Sequence, residues 1–167
     1  MANMKNKLLN YSKEIFLFLI FITIFSNLLS LYRSNNLNQD SIDVNSFTLM
    51  DGSSYMLSEN KPILLHFWAT WCPTCKAEAG NIETISKEFE VITIATKSGD
   101  NSNIQSYLKS RNLTFKVVND NNGSLAEKFN ISVFPTTIIY DKNREIFYSD
   151  VGYTTTFGLW LRMWLAK

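Results

Sequence analysis

A chain of 167 residues with 46% hydrophobic and 14% aromatic content has room for one domain with a real core plus an appendage, which excludes a disordered polypeptide. The net charge of +1 hides a split: residues 1–33 hold four basic groups and one acid, whereas residues 34–167 hold twelve basic groups and fourteen acids. The larger part is thus mildly acidic without a basic patch, which argues against nucleic acid as a partner. Its only two cysteines are Cys72 and Cys75, so no structural disulfide framework is available to it.

After a short N-terminus, residues 1–14, the segment 15–32 (IFLFLIFITIFSNLLSLY) carries no charge and is about long enough to cross a hydrocarbon core. Lys5, Lys7 and Lys13 precede it and only Arg33 follows, a bias that keeps the N-terminus in the cytoplasm and exports the rest. A cleaved signal peptide is the competing reading. The length of the run and the absence of a small-x-small ending at Leu28-Leu29-Ser30-Leu31-Tyr32 favour a signal anchor. Residues 33–45 are polar and aperiodic and read as a linker, leaving 46–167 as the folded domain.

Within that domain, residues 47–50 and 55–57 flank the turn signal Asp51-Gly52-Ser53-Ser54 and predict a hairpin. Residues 61–68 (KPILLHFW) form an apolar run suited to a strand buried on both faces. Residues 73–89 have helical periodicity, with Ile82, Ile85 and Phe89 inward and Lys76, Glu83 and Lys87 facing solvent. A strand at 91–95, a helix at 101–111, a strand at 114–118 and a short helix at 124–129 follow. Strands at 136–140 and 145–149, joined by a turn at 141–144, precede a last helix over about 155–166. On that helix Trp160 and Trp164 lie four apart, a spacing that points to core packing. The alternation predicts an α/β domain with a mixed central sheet.

Trp71-Cys72-Pro73-Thr74-Cys75 directly follows the buried strand. Two residues between cysteines on a first helical turn bring both sulfurs within bonding reach. Free N–H groups and the positive end of the helix dipole favour a thiolate there, so an exposed Cys72 is expected to have a pKa below the free-thiol value. Pro73 suits the helix start, where its missing N–H costs nothing.

The stretch HFWATWCPTC, together with Val133-Phe134-Pro135-Thr136-Thr137 before a late strand, resembles the thioredoxin superfamily and within it the membrane-anchored TlpA/DsbE-like branch. The ending Gly152-Tyr153-Thr154 followed by GLWLRMWLA looks most like the suppressor-of-copper-sensitivity D type. The resemblance covers about residues 45–167. It implies a thioredoxin-like three-layer fold with an N-terminal hairpin, and a protein-disulfide oxidoreductase that needs no cofactor beyond its own Cys72–Cys75 disulfide. The setting it implies is a single-pass bacterial inner-membrane protein with its catalytic domain in the periplasm or outside the cell. Its partners would be cysteine-containing exported proteins and a membrane redox protein.

By the same resemblance Cys72 is the attacking thiol, Cys75 the resolving thiol, and Pro135 a cis-proline beside them. Phe134 then offers backbone groups to an extended substrate segment, flanked by Trp71, Pro73 and Thr74. Cis bonds are essentially confined to proline, and a kinked strand end can hold a peptide by strand addition. Glu78, three positions past Cys75, shares its helix face and is a candidate acid/base. The bland alternative for Glu78 is a solvated first-turn carboxylate. His66 stands where strands of this kind often carry an acid, and is either a proton relay to Cys75 or a neutral core histidine. The direction of electron flow is not written in any residue. The alternative function is Cu(I) binding by the same two thiolates; zinc would want more ligands than two cysteines and one histidine provide.

Overall fold

The computed structural model describes residues 44–167, together with residues 11, 13–18, 20–22 and 25, all of them helical. The remainder of the apolar segment 15–32 and most of the linker 33–45 lie outside the described residues. Among the described residues no helix is long and apolar enough to cross a membrane.

The domain opens with a two-stranded antiparallel hairpin, β1 (Ser46–Thr48) and β2 (Ser54–Met56), closed by the predicted turn. Its centre is a five-stranded sheet of β3 (Ile63–Trp68), β4 (Glu90–Thr96), β5 (Lys116–Asp120), β6 (Thr136–Tyr140) and β7 (Ile146–Val151), ordered β5-β4-β3-β6-β7. The first three run parallel, while β6 and β7 are antiparallel additions, so the sheet is mixed. Every residue of β3 is buried, because this central strand has neighbours on both edges and packed layers on both faces.

Helices α1 (Pro73–Ser86), α2 (Asn101–Ser110) and α4 (Thr156–Leu165) pack on one face of the sheet, and the short α3 (Ser124–Lys128) with the hairpin on the other. Alternate residues of one strand serve the two layers: Leu64 and Trp68 face α1, whereas Ile63, Leu65 and Phe67 face α3 and the hairpin. The result is the expected three-layer thioredoxin-like fold, with all its strands and helices within a few residues of their sequence-predicted positions.

Two side-chain assignments need correction. Glu83, expected in solvent, is buried. Its Oε2 accepts hydrogen bonds from the Thr114 and Phe115 amides at 2.7 and 3.2 Å, and its Oε1 from Thr114 Oγ1 at 2.7 Å. These amides lie just before β5, where no strand partner serves them, so α1 supplies a carboxylate instead. Burial raises the Glu83 pKa, but the bonds from Thr114 and Phe115 and the charge of Lys87 outweigh it and hold it below the usual 4.5. Its stabilising effect is therefore present above that value and lost as pH falls through the lower, folded one. Glu83→Ala strands the two amides and is expected to cost about 3 kcal/mol, read as a lower denaturant midpoint at neutral pH.

Trp160 and Trp164, expected in the core, are 37% and 52% exposed and stack on one another with centroids 6.4 Å apart. Leu159 and Met163, one position earlier on the helix, face the core instead. Both pairs have the same four-residue spacing, so periodicity alone could not choose between them.

Candidate active site

Cys72 caps the N-terminus of α1 with extended backbone, and Pro73 occupies the first helical turn. Cys72 and Cys75 form a disulfide with Cα atoms 5.3 Å apart. The Cys75 amide points at Cys72 Sγ, 3.2 Å away, which places a helix-terminal N–H where a Cys72 thiolate would carry its charge.

Across the site the Phe134–Pro135 peptide bond is cis. The Phe134 carbonyl oxygen lies 3.7 Å from Cys72 Sγ, so the two motifs, 62 residues apart in sequence, meet at the sulfur. Trp71 is exposed, packs edge-on against the Phe134 ring at 5.9 Å, and donates from Nε1 to the Lys97 carbonyl at 3.0 Å. The Thr70 amide donates to Ser98 Oγ at 3.0 Å, so the segment before the dithiol is tied to the β4–α2 connection at two points. Pro73 and Thr74 are exposed on the outer side of the helix start, while Pro135 is buried. Cys72, expected to be the exposed sulfur, is only 5% exposed. The Phe134 carbonyl approaches it from the opposite loop, a contact that local sequence does not reveal.

Glu78 lies one turn below Cys75 and is completely buried. Its Oε1 accepts the Thr154 amide at 2.9 Å, and its Oε2 has no hydrogen-bond partner. Burial pushes its pKa up to about 8; the Thr154 amide opposes that rise, Asp150 adds to it and Arg162 counters it. Asp150 on β7 accepts from Thr154 Oγ1 at 2.8 Å and pairs with Arg162 of α4 at 2.9 Å. Arg162 also reaches the Tyr148 hydroxyl at 2.9 Å and lies over that ring. Nearby, Asn81 bonds the Thr154 carbonyl and Tyr153 hydroxyl through Nδ2 and accepts from Thr156 Oγ1, so α1 grips the 153–156 loop through two side chains. The solvated alternative for Glu78 thus gives way to a buried carboxyl in a polar cluster. Sequence reasoning missed Asp150, Thr154 and Arg162; the Gly152-Tyr153-Thr154 loop was the single pointer toward them.

His66 is buried at the centre of β3, with Nδ1 3.0 Å from Thr137 Oγ1 of β6. Burial pushes its pKa down to about 3, so the ring is neutral at ordinary pH. Its hydrogen bond runs to Thr137, not to either cysteine. Trp68 is a core residue packed on Tyr107 and Phe115. Among the described residues no group of three or more His, Cys, Asp and Glu side chains gathers in a way that could hold a metal ion.

Known proteins with this chain pattern agree with the geometry. The Redoxin family model matches residues 38–157. A thioredoxin-like protein of Haemophilus influenzae is 33% identical over 157 residues, covering 90% of this chain and 91% of that one. The thiol-disulfide oxidoreductase ResA of Oceanobacillus iheyensis is 33% identical over 104 residues, covering 58% of this chain and 54% of its own. Among solved structures, StoA from Bacillus subtilis superposes with a TM-score of 0.61 at 23% identity, covering 72% of this chain and 94% of that one. A secreted Mycobacterium tuberculosis disulfide oxidoreductase homologous to E. coli DsbE gives 0.63 at 24% identity, with coverages of 72% and 94%. These two likenesses establish the fold, and the sequence matches the family. With a CxxC disulfide at the head of α1, the chain belongs to the Redoxin family as a TlpA/DsbE-like member of the thioredoxin superfamily and is a thiol-disulfide oxidoreductase.

Proposed function

We propose that this protein exchanges disulfides with cysteine-containing exported proteins while tethered to the bacterial cytoplasmic membrane through residues 15–32, its domain 46–167 lying on the outer side. The observation that carries the reading is the Cys72–Cys75 disulfide at the head of α1, set against the Phe134 carbonyl. The described part of the apolar segment is helical, and its side chains Ile15, Phe16, Leu17, Phe18 and Phe21 are exposed, which suits a lipid-facing helix.

In the reductive direction Cys72 thiolate attacks a substrate disulfide, forming a mixed disulfide and expelling one substrate thiolate. Cys75, its proton passing to Glu78 when that residue is in its carboxylate form, then attacks Cys72 Sγ, releasing the second substrate thiolate and closing the Cys72–Cys75 bond. Oxidation of a substrate dithiol is the same sequence reversed. The substrate segment lies along Phe134 and Pro135, with Trp71, Pro73 and Thr74 forming the rim. His66 supports this site as a neutral, Thr137-bonded group rather than as a charged one. A membrane redox partner restores the dithiol or disulfide after each turnover.

The direction of flow follows from the reduction potential of the pair, measured by equilibration of the oxidised protein with glutathione. A value near about −270 mV makes it a reductant and one near about −120 mV an oxidant; failure to equilibrate at all sinks the exchange reading. Cu(I) carriage by the same pair, the copper-stress alternative, is less well supported, because a backbone carbonyl and an amide rather than a soft ligand face Cys72. Titration of the reduced protein with Cu(I) against glutathione separates the two.

A further inference from the structure

Helix α4 is apolar on two sides. Leu159, Met163 and Ala166 enter the core, while Phe157, Trp160, Leu161, Trp164 and Leu165 form a second stripe, all five exposed, at the i, i+3, i+4, i+7, i+8 spacing of a single helix face. A helix apolar all round is ordinarily buried, so this outer stripe lacks its cover.

Beyond the C-terminal end of the stripe opens a cavity of about 590 Å³ whose lining includes Tyr55, Ser58, Lys61, Lys87, Lys142 and Lys167. Its two side-chain carboxylates, Glu88 and Glu90, accept hydrogen bonds from neutral donors and offset part of the lysine charge. Glu90 accepts from the Tyr55 hydroxyl and the Ser58 amide, and Glu88 accepts from Trp160 Nε1 at 3.2 Å, which also ties the cavity wall to the stripe. Lys87 stands 3.7 Å from Glu83, a carboxylate it shares with the Thr114 and Phe115 amides. Neutral donors leave Glu88 and Glu90 their charge, so with Glu83 beside Lys87 the four lysines keep only a small positive excess next to exposed tryptophan.

The chain enters the domain at this same pole. The Asn45 carbonyl accepts from the Leu57 amide at 2.9 Å, one residue before Ser58 of the lining. The dithiol is at the other end: β3 begins at Ile63, just after Pro62 of the lining, and runs about 20 Å before the chain reaches Trp71 and Cys72.

We propose that the outer stripe of α4 and the adjoining lysine cavity seat the domain on an anionic lipid bilayer, with the dithiol turned away from it. The inference rests on the anchored reading above, since a linker entering at the lysine pole holds that pole nearest the membrane. Tryptophan rings settle at the headgroup level, lysine stems run along apolar surface to reach it, and anionic headgroups supply the countercharge. The seat would hold Cys72 and Phe134 facing incoming substrates instead of leaving the domain to tumble on its linker.

The full-length chain is reconstituted into phosphatidylcholine vesicles with and without phosphatidylglycerol, with brominated or ordinary acyl chains, and its tryptophan emission is recorded. Bromine quenching is expected in the phosphatidylglycerol vesicles, is lost in the Trp160→Phe/Trp164→Phe chain, and falls when Lys61, Lys87, Lys142 and Lys167 are all changed to Gln. The lysine variant retains normal disulfide exchange with a soluble peptide, which shows that it is folded. Absence of quenching, or quenching indifferent to the tryptophan changes, overturns the seat, and so does a photo-crosslinker at Leu161 that captures a second copy of this chain rather than lipid. Alkaline carbonate extraction of the same vesicles reports on the anchor alone. Retention without quenching removes the seat and leaves the anchor, whereas quenching of a chain that carbonate extracts keeps the seat and removes the anchor.

Discussion

Cys75→Ser is expected to convert the protein into a covalent trap, and Cys72→Ser into an inert one. With Cys72 as the attacking sulfur, loss of Cys75 leaves the mixed disulfide with no internal thiol to resolve it, so a complex accumulates on non-reducing gels and disappears on adding dithiothreitol. With Cys72 gone no complex forms, and turnover of a model disulfide substrate falls to the uncatalysed background. The physical ground is asymmetry at the helix start. Cys72 is the capping residue with an amide aimed at its sulfur and the Phe134 carbonyl beside it, whereas Cys75 lies inside the first turn above Glu78. Trapping by Cys72→Ser with none by Cys75→Ser would reverse the assignment.

Glu78→Gln is expected to stabilise the protein at alkaline pH and leave it little changed at acid pH. Between 4.5 and about 8 the folded protein keeps the Glu78 proton that the unfolded chain has released. The folded state therefore binds more protons over that window, and stability falls as pH rises through it, levelling off above the folded value. Each pH unit of that window costs about 1.4 kcal/mol, so the penalty at pH 9 is on the order of 5 kcal/mol. Glutamine keeps a carbonyl oxygen for the Thr154 amide and never ionises, so the penalty is absent. Thermal unfolding of both proteins at pH 5 and pH 9 reads the difference, and a gap independent of pH would mean that Glu78 is an ordinary ionised carboxylate. If Glu78 also takes the Cys75 proton, the resolving step of the wild type shows a titration near pH 8 that the variant lacks. A purely structural Glu78 would change the unfolding curves and leave that kinetic profile alone.

The secondary structure was legible because it rests on short-range physics. The unbroken apolar run of β3 marked a strand buried on both faces, Gly52 and Asp51 marked the hairpin turn, and Pro73 after Cys72 marked a helix start. The dithiol was legible for the same reason, since two residues between cysteines at a helix N-terminus define its geometry locally. Pro135 was recognisable through the family resemblance, and its placement beside Cys72 is a tertiary fact.

Apart from Cys72, expected exposed and found buried, the errors concern which side of a correctly placed helix faces inward. Glu83 was given to solvent because glutamate usually goes there, yet unpaired amides ahead of β5 needed an acceptor. Trp160 and Trp164 were given to the core, yet Leu159 and Met163 fit against α1 and the sheet.

By itself the sequence determined the order of strands and helices, the mildly acidic character of the domain and the chemistry of its two cysteines, because each depends on composition or on neighbours within a few positions. Only the tertiary structure decided that the Phe134 carbonyl meets Cys72 Sγ, that Asp150, Thr154 and Arg162 surround a buried Glu78, and that α4 turns five apolar side chains outward. The first two bring together residues 62 and 76 positions apart, and the third is a choice between two apolar faces of one helix. Both kinds of outcome are settled by packing and desolvation that no local pattern encodes.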